Sequence, residues 1–180
     1  ITYAEYMEKY KNEKQGKGVV KIEAEYANVT SSNTVYAVED RASAATTPSD
    51  PSKTLLNTIG GEQWQNAGQY ITYKFRVDDS GLYNIAARFR QNTLEGIYVN
   101  RILSIYSEGL SEGDKGYYNG IPFAEAASLR FNYKNSWQTG NLTNGNEDLQ
   151  FYFEAGVTYT LRFEVTLGSM SEVLQSMEAA

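Results

Sequence analysis

The chain has 180 residues, of which 41% are hydrophobic, and a net charge of −6. This length fits one domain with a sizeable core. Acidic and basic residues are interspersed, which argues against binding to nucleic acid or to an anionic membrane surface, because both need a basic face. No apolar run approaches the ~20 residues of a membrane-spanning helix, so we expect a soluble piece without membrane insertion. The chain begins with Ile and shows no signal peptide, and we expect a fragment or a mature product.

The chain contains no cysteine and no histidine. Thiol nucleophiles, disulfides, the usual zinc sites and every imidazole-based triad are therefore excluded. The aromatic excess lies in Tyr, with 15 residues, beside two Trp. Tyr is a good strand residue, and it also stacks on sugar rings while offering a polar edge. Composition alone leaves both interpretations open.

The two ends of the chain carry helical patterns. Within residues 1–18, and again within 168–180, apolar residues recur at i, i+3, i+4 and i+7 after a capping-box pair. The first stripe is Tyr3, Tyr6, Met7 and Tyr10, and the second is Met170, Val173, Leu174 and Met177. We predict a short amphipathic helix at each terminus, made to pack on the sandwich, on the other helix or on a parent domain.

Residues 19–167 between them show the alternation of strands and the turn signals of an all-β domain. Runs 69–77 and 82–90, joined by the turn DDSG, are predicted to form an antiparallel hairpin, and 134–146 is interpreted as a polar loop. The predicted strands are 20–26, 35–38, 69–77, 82–90, 97–106, 128–133, 148–153 and 158–166. The prediction is an antiparallel β-sandwich of jelly-roll type with helices at both ends.

Four features in this order resemble carbohydrate-binding modules of families six and thirty-five. They are a strand with alternating glutamates (IEAEY, 22–26), a W-x-x-x-G-x-Y segment (64–70), a G-x-Y hairpin leading to an Arg (81–90), and a Trp before the last hairpin (137 and 155–161). The stretches LLNTIGGEQW and PFAEA, with the two helices, resemble more particularly a module inserted in long extracellular solute-binding proteins of bacterial ABC transporters. The resemblance implies a carbohydrate partner, a location outside the cell or at its surface, and flanking domains of a larger parent.

Candidate sugar contacts lie in three polar segments. Trp137 and Gln138 stand among amide and hydroxyl side chains, which suits a stacking platform with hydrogen bonds to sugar hydroxyls. Tyr117, Tyr118 and Asn119 form the tip of a glycine-rich loop, where one Tyr is expected to anchor the loop and the other to contact ligand; the alternative is that both tyrosines pack down. Arg90 and Asn92 end a strand and match vicinal hydroxyls or a uronate carboxylate, although a strand-end salt bridge also explains Arg90. Trp137 folded onto the core is the alternative for that residue, and Trp64 is interpreted as a core residue.

Glu23 and Glu25 would leave the same face of a strand, an arrangement that suits a calcium ion. The resemblance implies such a structural calcium, but the Asp with which these modules close is missing from the final strand. Asp40 or Glu164 could substitute for it. The competing interpretation is a solvated face with Lys21 as its neighbour.

No acid of the chain stands in a motif for catalysis, and G-x-S-x-G, G-x-G-x-x-G and the P-loop are absent. We therefore expect no enzymatic activity. The leading hypothesis is a non-catalytic carbohydrate-binding module. The alternative is a structural or interaction β-sandwich in a larger extracellular protein, without a working sugar site and docked through its terminal helices.

Overall fold

The structure is a computed structural model that describes residues 1–31, 35, 37–38, 58–59, 64–91 and 98–166. Within these ranges it contains one α-helix, twelve strands and two short 3-10 helices, Ala24–Tyr26 and Ala124–Ala127. The remaining elements are α1 Tyr3–Tyr10, β1 Val29–Thr30, β2 Ala37–Val38, β3 Thr58–Ile59, β4 Tyr70–Phe75, β5 Gly81–Asn84, β6 Ala86–Gln91, β7 Tyr98–Ser107, β8 Asn119–Gly120, β9 Leu129–Asn132, β10 Lys134–Asn141, β11 Gln150–Phe153 and β12 Tyr159–Thr166. In these parts of the chain no helix is long and apolar enough to cross a membrane.

The first layer is a six-stranded antiparallel sheet in the order β1-β4-β12-β7-β8, with β9 also paired to β7. Strand β12 lies at its centre and pairs along its length with β4 and β7. Its odd-numbered residues from Tyr159 to Val165 face the core, and the even-numbered ones lie on the other face. This is the one-sided burial typical of an antiparallel sandwich layer.

The second layer is built on one long strand that is interrupted at Ile85. Its first half, β5, pairs with β11, and its second half, β6, pairs with β10. The N-terminal segment lies along the other edge of β5, through a parallel bridge from Gln15 to Leu82. The described strands thus confirm the all-β, antiparallel sandwich.

The predicted hairpin between runs 69–77 and 82–90 is wrong. Strand β4 pairs with β1 and β12, whereas β5 pairs with β11, so the turn at 78–80 carries the chain from one layer to the other. Phe75 then meets Phe153 edge-on across the core, with ring centroids 4.9 Å apart. Alternation shows that a strand buries one face, but it does not select the partner strand.

The predicted strand over 20–26 is also wrong. Residues 24–26 form a 3-10 turn, and strand pairing begins only at Val29. Several apolar side chains of this segment are exposed, namely Val19, Val20, Ile22, Tyr26 and Val29. The alternating pattern therefore does not mark a buried strand face here.

Helix α1 follows the sequence prediction closely. Thr2 caps it, with the reciprocal capping box to Glu5 in place. Tyr3, Tyr6 and Tyr10 are at most 4% exposed and belong to the main core cluster. The N-terminal stripe is thus buried against the chain's own sandwich. The second predicted helix, within 168–180, lies outside the described residues.

Three tyrosine hydroxyls accept hydrogen bonds from alternate N–H groups of the 150–154 segment, on the edge of β11 that β5 does not pair. The bonded pairs, hydroxyl first, are Tyr3 with Gln150, Tyr6 with Tyr152 and Tyr159 with Glu154, with O–N distances of 2.9, 2.7 and 2.9 Å. An open strand edge is normally covered by a helix or another strand. Here α1 and β12 supply phenol groups for that purpose, so part of the Tyr excess is structural.

Candidate functional site

The predicted ligand residues fall into two separate groups. Asn119 pairs with Tyr106 near the C-terminal end of β7. Trp137 lies in β10, which begins just after β9, and β9 ends opposite Tyr98 at the other end of β7. At ~3.3 Å per residue of strand, the two groups are on the order of 20 Å apart. They therefore cannot line one pocket for a single sugar ring. Asn92, which was predicted together with Arg90, lies outside the described residues.

Trp137 stands on strand β10 and not in the loop predicted for it. The register between β10 and β6 shifts between Lys134 and Gln138, so Trp137 lies in an irregular stretch opposite Arg90. The Arg90 guanidinium carbon is 5.4 Å from the centroid of the Trp137 ring. The ring is half-buried, and it belongs to neither buried apolar cluster of the described residues. We call Trp137 and Arg90 with their strand surroundings the Trp137 face.

Gln138 points to the other side of β10, because adjacent strand residues alternate. It pairs with Phe89, and both line a small cavity between β9 and β10 to which Trp137 does not contribute. Its amide nitrogen donates to the carbonyl oxygen of Asn132 at 3.4 Å. Gln138 and Trp137 thus serve different surfaces.

Tyr118 is corrected from a ligand contact to a core residue. Its side chain is 6% exposed, and its hydroxyl donates to the carbonyl of Tyr152 at 2.9 Å and bonds the hydroxyl of Tyr6. Burial raises the pKa of Tyr118 well above its ordinary value. It is the anchoring member of the tyrosine pair, and its ring cannot stack on a sugar.

Tyr117 and Asn119 remain at the surface beside a shallow depression of about 320 Å³. Tyr117 is half-buried and Asn119 is exposed. Ile121, which is 48% exposed, Pro122 and Glu112 also line this depression. It offers one aromatic ring and one amide, with little enclosure.

Trp64 packs where the sequence analysis placed it. Its indole rests against the smaller buried cluster and donates from Nε1 to the Gln69 carbonyl at 3.3 Å. The guanidinium carbon of Arg101 lies 4.2 Å from the Trp64 ring centroid. Burial lowers the pKa of Arg101 to about 10. These contacts hold the indole within the domain.

The two glutamates proposed for calcium do not share a strand face. Glu23 precedes the 3-10 turn and forms an ion pair with Lys21, while Glu25 lies within the turn. Both carboxylate oxygens of Glu25 are buried without a hydrogen-bond partner. Glu164 forms an ion pair with Arg162, and Asp40 lies outside the described residues. No group of three acidic side chains occurs among the described residues.

A buried carboxylate without a partner is the donor that a hard cation takes, since leaving it unpaired is costly. Glu25 therefore fits calcium, and Glu23 as placed does not. The described part of the chain offers no cluster of carboxylates, so the other calcium ligands there would have to be oxygens of a different kind.

Comparison with known proteins supports the fold. No protein-family model matches the chain, and no curated protein sequence matches it. Its structure is similar to part of a Paenibacillus sp. cycloisomaltooligosaccharide glucanotransferase, whose crystal structure holds cycloisomaltoheptaose, with a TM-score of 0.54 and 18% sequence identity. The similarity covers 88% of this chain and only 17% of that one. At this identity the similarity shows a shared fold and does not assign that enzyme's activity to this chain.

Proposed function

We propose that this chain is a non-catalytic carbohydrate-binding module that works outside the cell or at its surface, as part of a larger protein. The observation that carries the proposal is the Trp137 face. A half-buried indole that belongs to neither core cluster stands on a polar strand with a guanidinium against it. Aromatic rings flanked by groups that hydrogen-bond hydroxyls are the recurrent design of sugar sites.

Two further observations support this function over a purely structural role. The similar region of the glucanotransferase is a small part of a long chain whose structure holds a cyclic oligosaccharide, which fits an embedded module in a carbohydrate-related protein. Helix α1 buries its apolar stripe in its own sandwich, so that stripe is not a docking surface for a partner. The alternative function, docking to a partner through both terminal helices, is therefore not supported for the N-terminal helix.

The proposal of a non-catalytic role rests on chemistry. Glycoside hydrolysis uses two carboxylates on either side of the scissile bond. The acids with lowered pKa in the described residues are Glu5, Asp79 and Glu154, each held low by hydrogen bonds from neighbouring groups of the fold. Carboxylates held in this way stay charged at neutral pH and have no proton to donate as a general acid.

A glycan array followed by calorimetry tests the proposal. The array includes isomalto-oligosaccharides, cycloisomaltoheptaose, and plant, host and microbial polysaccharides. For the best ligand, Trp137→Ala should weaken binding about tenfold or more, which is ~1.4 kcal/mol, because stacking and apolar contact are lost together. Trp137→Phe should keep part of the affinity.

Tyr26→Ala is the matched control, because Tyr26 is an exposed aromatic residue, at 71%, just before β1, which lies at the edge of the sheet remote from β7 and β9. It should bind like the unmodified chain. The proposal fails if no glycan on the array binds, or if Trp137→Ala and Tyr26→Ala bind equally well. Release of reducing sugar from the bound glycan would contradict the non-catalytic assignment.

We also propose that calcium binds through Glu25 and supports the fold near the 3-10 turn. A ligand that binds only the folded state stabilises it by about 2.7 kcal/mol at 100 times its Kd, or roughly 5–10 °C in Tm for a chain of this size. CaCl2 should therefore raise Tm, MgCl2 should do so less, and EDTA should reverse the effect.

Glu25→Gln is the matched variant because it keeps the shape and removes the charge. It should lose the response to calcium, and it should not be less stable than the unmodified chain in EDTA, since an unpaired buried charge is gone. An equal calcium response in both chains would rule out Glu25 as the ligand.

A further inference from the structure

The small cavity that Gln138 and Phe89 line is on the side of the sandwich, between the edge strands β9 and β10. Its volume is about 150 Å³. Its floor is apolar: the Phe89 and Phe131 rings meet edge-on with centroids 4.7 Å apart, and Leu129 and Leu142 are buried beside them. We call it the Gly140 hollow, after a residue of β10 that lines it.

The remaining residues that line the hollow, apart from Gly140, are polar. They are Arg130, Asn132, Gln138, Thr139, Asn141 and Thr143. Gln138 is the polar side chain that β10 turns to the same side as Phe89, and its amide nitrogen donates to the Asn132 carbonyl at 3.4 Å. An apolar floor beside an amide matches a sugar ring, which has apolar C–H faces and a hydroxyl perimeter.

Gly140 is the second and independent observation. It stands inside β10, opposite Ala87, where glycine lowers stability by roughly 0.5–1 kcal/mol relative to alanine. Its φ is not positive, so the backbone conformation does not require glycine. A β-carbon added there would meet no atom within 4 Å apart from its chain neighbours, so crowding within the protein does not require it either.

Gly140 lies two residues from Gln138 and therefore on the same side of β10, facing the hollow. A glycine inside a strand often marks a bulge, a tight bend or the close approach of a ligand or another backbone. The register shift of β10 lies before Gln138, and the pairing at Gly140 is regular, so a bulge does not explain the glycine. The space above Gly140 is kept open, and neither conformation nor internal packing explains it.

We propose that the Gly140 hollow binds one pyranose ring of a glycan, as a subsite distinct from the Trp137 face. The ring lies over Phe89 and Phe131 and close to Gly140, and its hydroxyls bond to the Gln138 amide. This inference rests on the proposed function, since it adds a second contact for the same class of ligand. The two surfaces lie on opposite sides of β10, so they are separable by mutation.

The test is an NMR titration of the 15N-labelled chain with four probes: the methyl glycosides of α-glucopyranose, α-mannopyranose, β-galactopyranose and β-xylopyranose. At least one should move the amide signals of residues 138–141 with saturation. Gly140→Val should weaken that binding at least tenfold by filling the hollow, and should fold normally because the added side chain meets open space. Gln138→Ala should weaken it as well, because it removes the amide beside the apolar floor.

Ala86→Val is the control. Ala86 is adjacent to Ala87 in β6, and Ala87 pairs with Gly140, so the Ala86 side chain lies on the face of β6 away from the hollow. It should leave the titration unchanged. The inference is overturned if no probe moves signals 138–141, or if Gly140→Val binds as the unmodified chain does. Either result leaves the proposed function standing when polysaccharides still bind through Trp137. The proposed function falls separately, when the glycan array is negative.

Discussion

Replacing Tyr6 with Phe removes one oxygen atom from a closed hydrogen-bond circuit in the core. The N–H of Tyr152 donates to the Tyr6 hydroxyl at 2.7 Å, the Tyr6 hydroxyl bonds that of Tyr118, and Tyr118 donates to the Tyr152 carbonyl at 2.9 Å. Because the Tyr118 proton is used on the carbonyl, Tyr6 must donate to Tyr118. Both hydroxyl groups therefore complete the free edge of β11 at a single residue.

The expected loss follows from the group that is left unpaired. Tyr6 is 3% exposed and Tyr152 is 1% exposed, so no solvent replaces the missing oxygen. An unsatisfied buried N–H costs about 1–3 kcal/mol. We expect Tyr6→Phe to lower the free energy of unfolding by about 2 kcal/mol, or roughly 4–8 °C in Tm for a domain of this size. The benzene ring stays, so the packing contribution is largely kept.

Urea unfolding followed by fluorescence measures this change, and the m-value should stay constant because the folded surface is the same. Tyr26→Phe is the control, since Tyr26 is exposed and should shift stability by less than about 0.5 kcal/mol. In a double-mutant cycle, Tyr6→Phe and Tyr118→Phe should be non-additive, because they break the same circuit. Equal urea midpoints for Tyr6→Phe and Tyr26→Phe would refute the argument.

Two further predictions concern close packing and alkaline pH. Gly81→Ala should destabilise the fold by about 1–3 kcal/mol, because its β-carbon would come within 2.6–2.8 Å of the backbone of residues 14–16. Gly140→Ala should be neutral or slightly stabilising, because its β-carbon meets open space. Equal melting temperatures for the two variants would contradict this prediction. Burial raises the pKa of Tyr152 and of Tyr159 to about 12, so the folded state keeps protons that the unfolded chain releases near pH 10. Stability should therefore be complete below pH 10 and fall between pH 10 and 12, and urea midpoints that stay constant over that range would rule this out.

Much of the local structure could be predicted because local chemistry determines it. The capping box at Thr2 and the helical stripe gave α1, and period-two alternation found β4, β7, β11 and β12 within one or two residues at most ends. The alternation at 20–26 failed for an informative reason. A period-two pattern records side-chain order, but this segment has no partner strand and turns into a 3-10 helix.

The candidate site was predicted only in part. The segment around Trp137 was recognised from its aromatic and amide content, but its polarity was attributed to a loop. It is an edge strand, whose outward residues are polar for the same reason as those of a loop. Tyr117 and Tyr118 were separable only once the core was known, because two adjacent tyrosines in a glycine-rich loop carry no sign of which one is anchored.

The sequence by itself determined the all-β class, the N-terminal helix and the types of chemistry that are excluded, since these depend on residue types and on spacing within one element. The tertiary structure decided how the strands pair, which strand edge the tyrosines complete, and which side of β10 carries Trp137 and which Gly140. These features depend on contacts between residues far apart in the chain, and a pattern within one strand contains no information about the strand that will lie beside it.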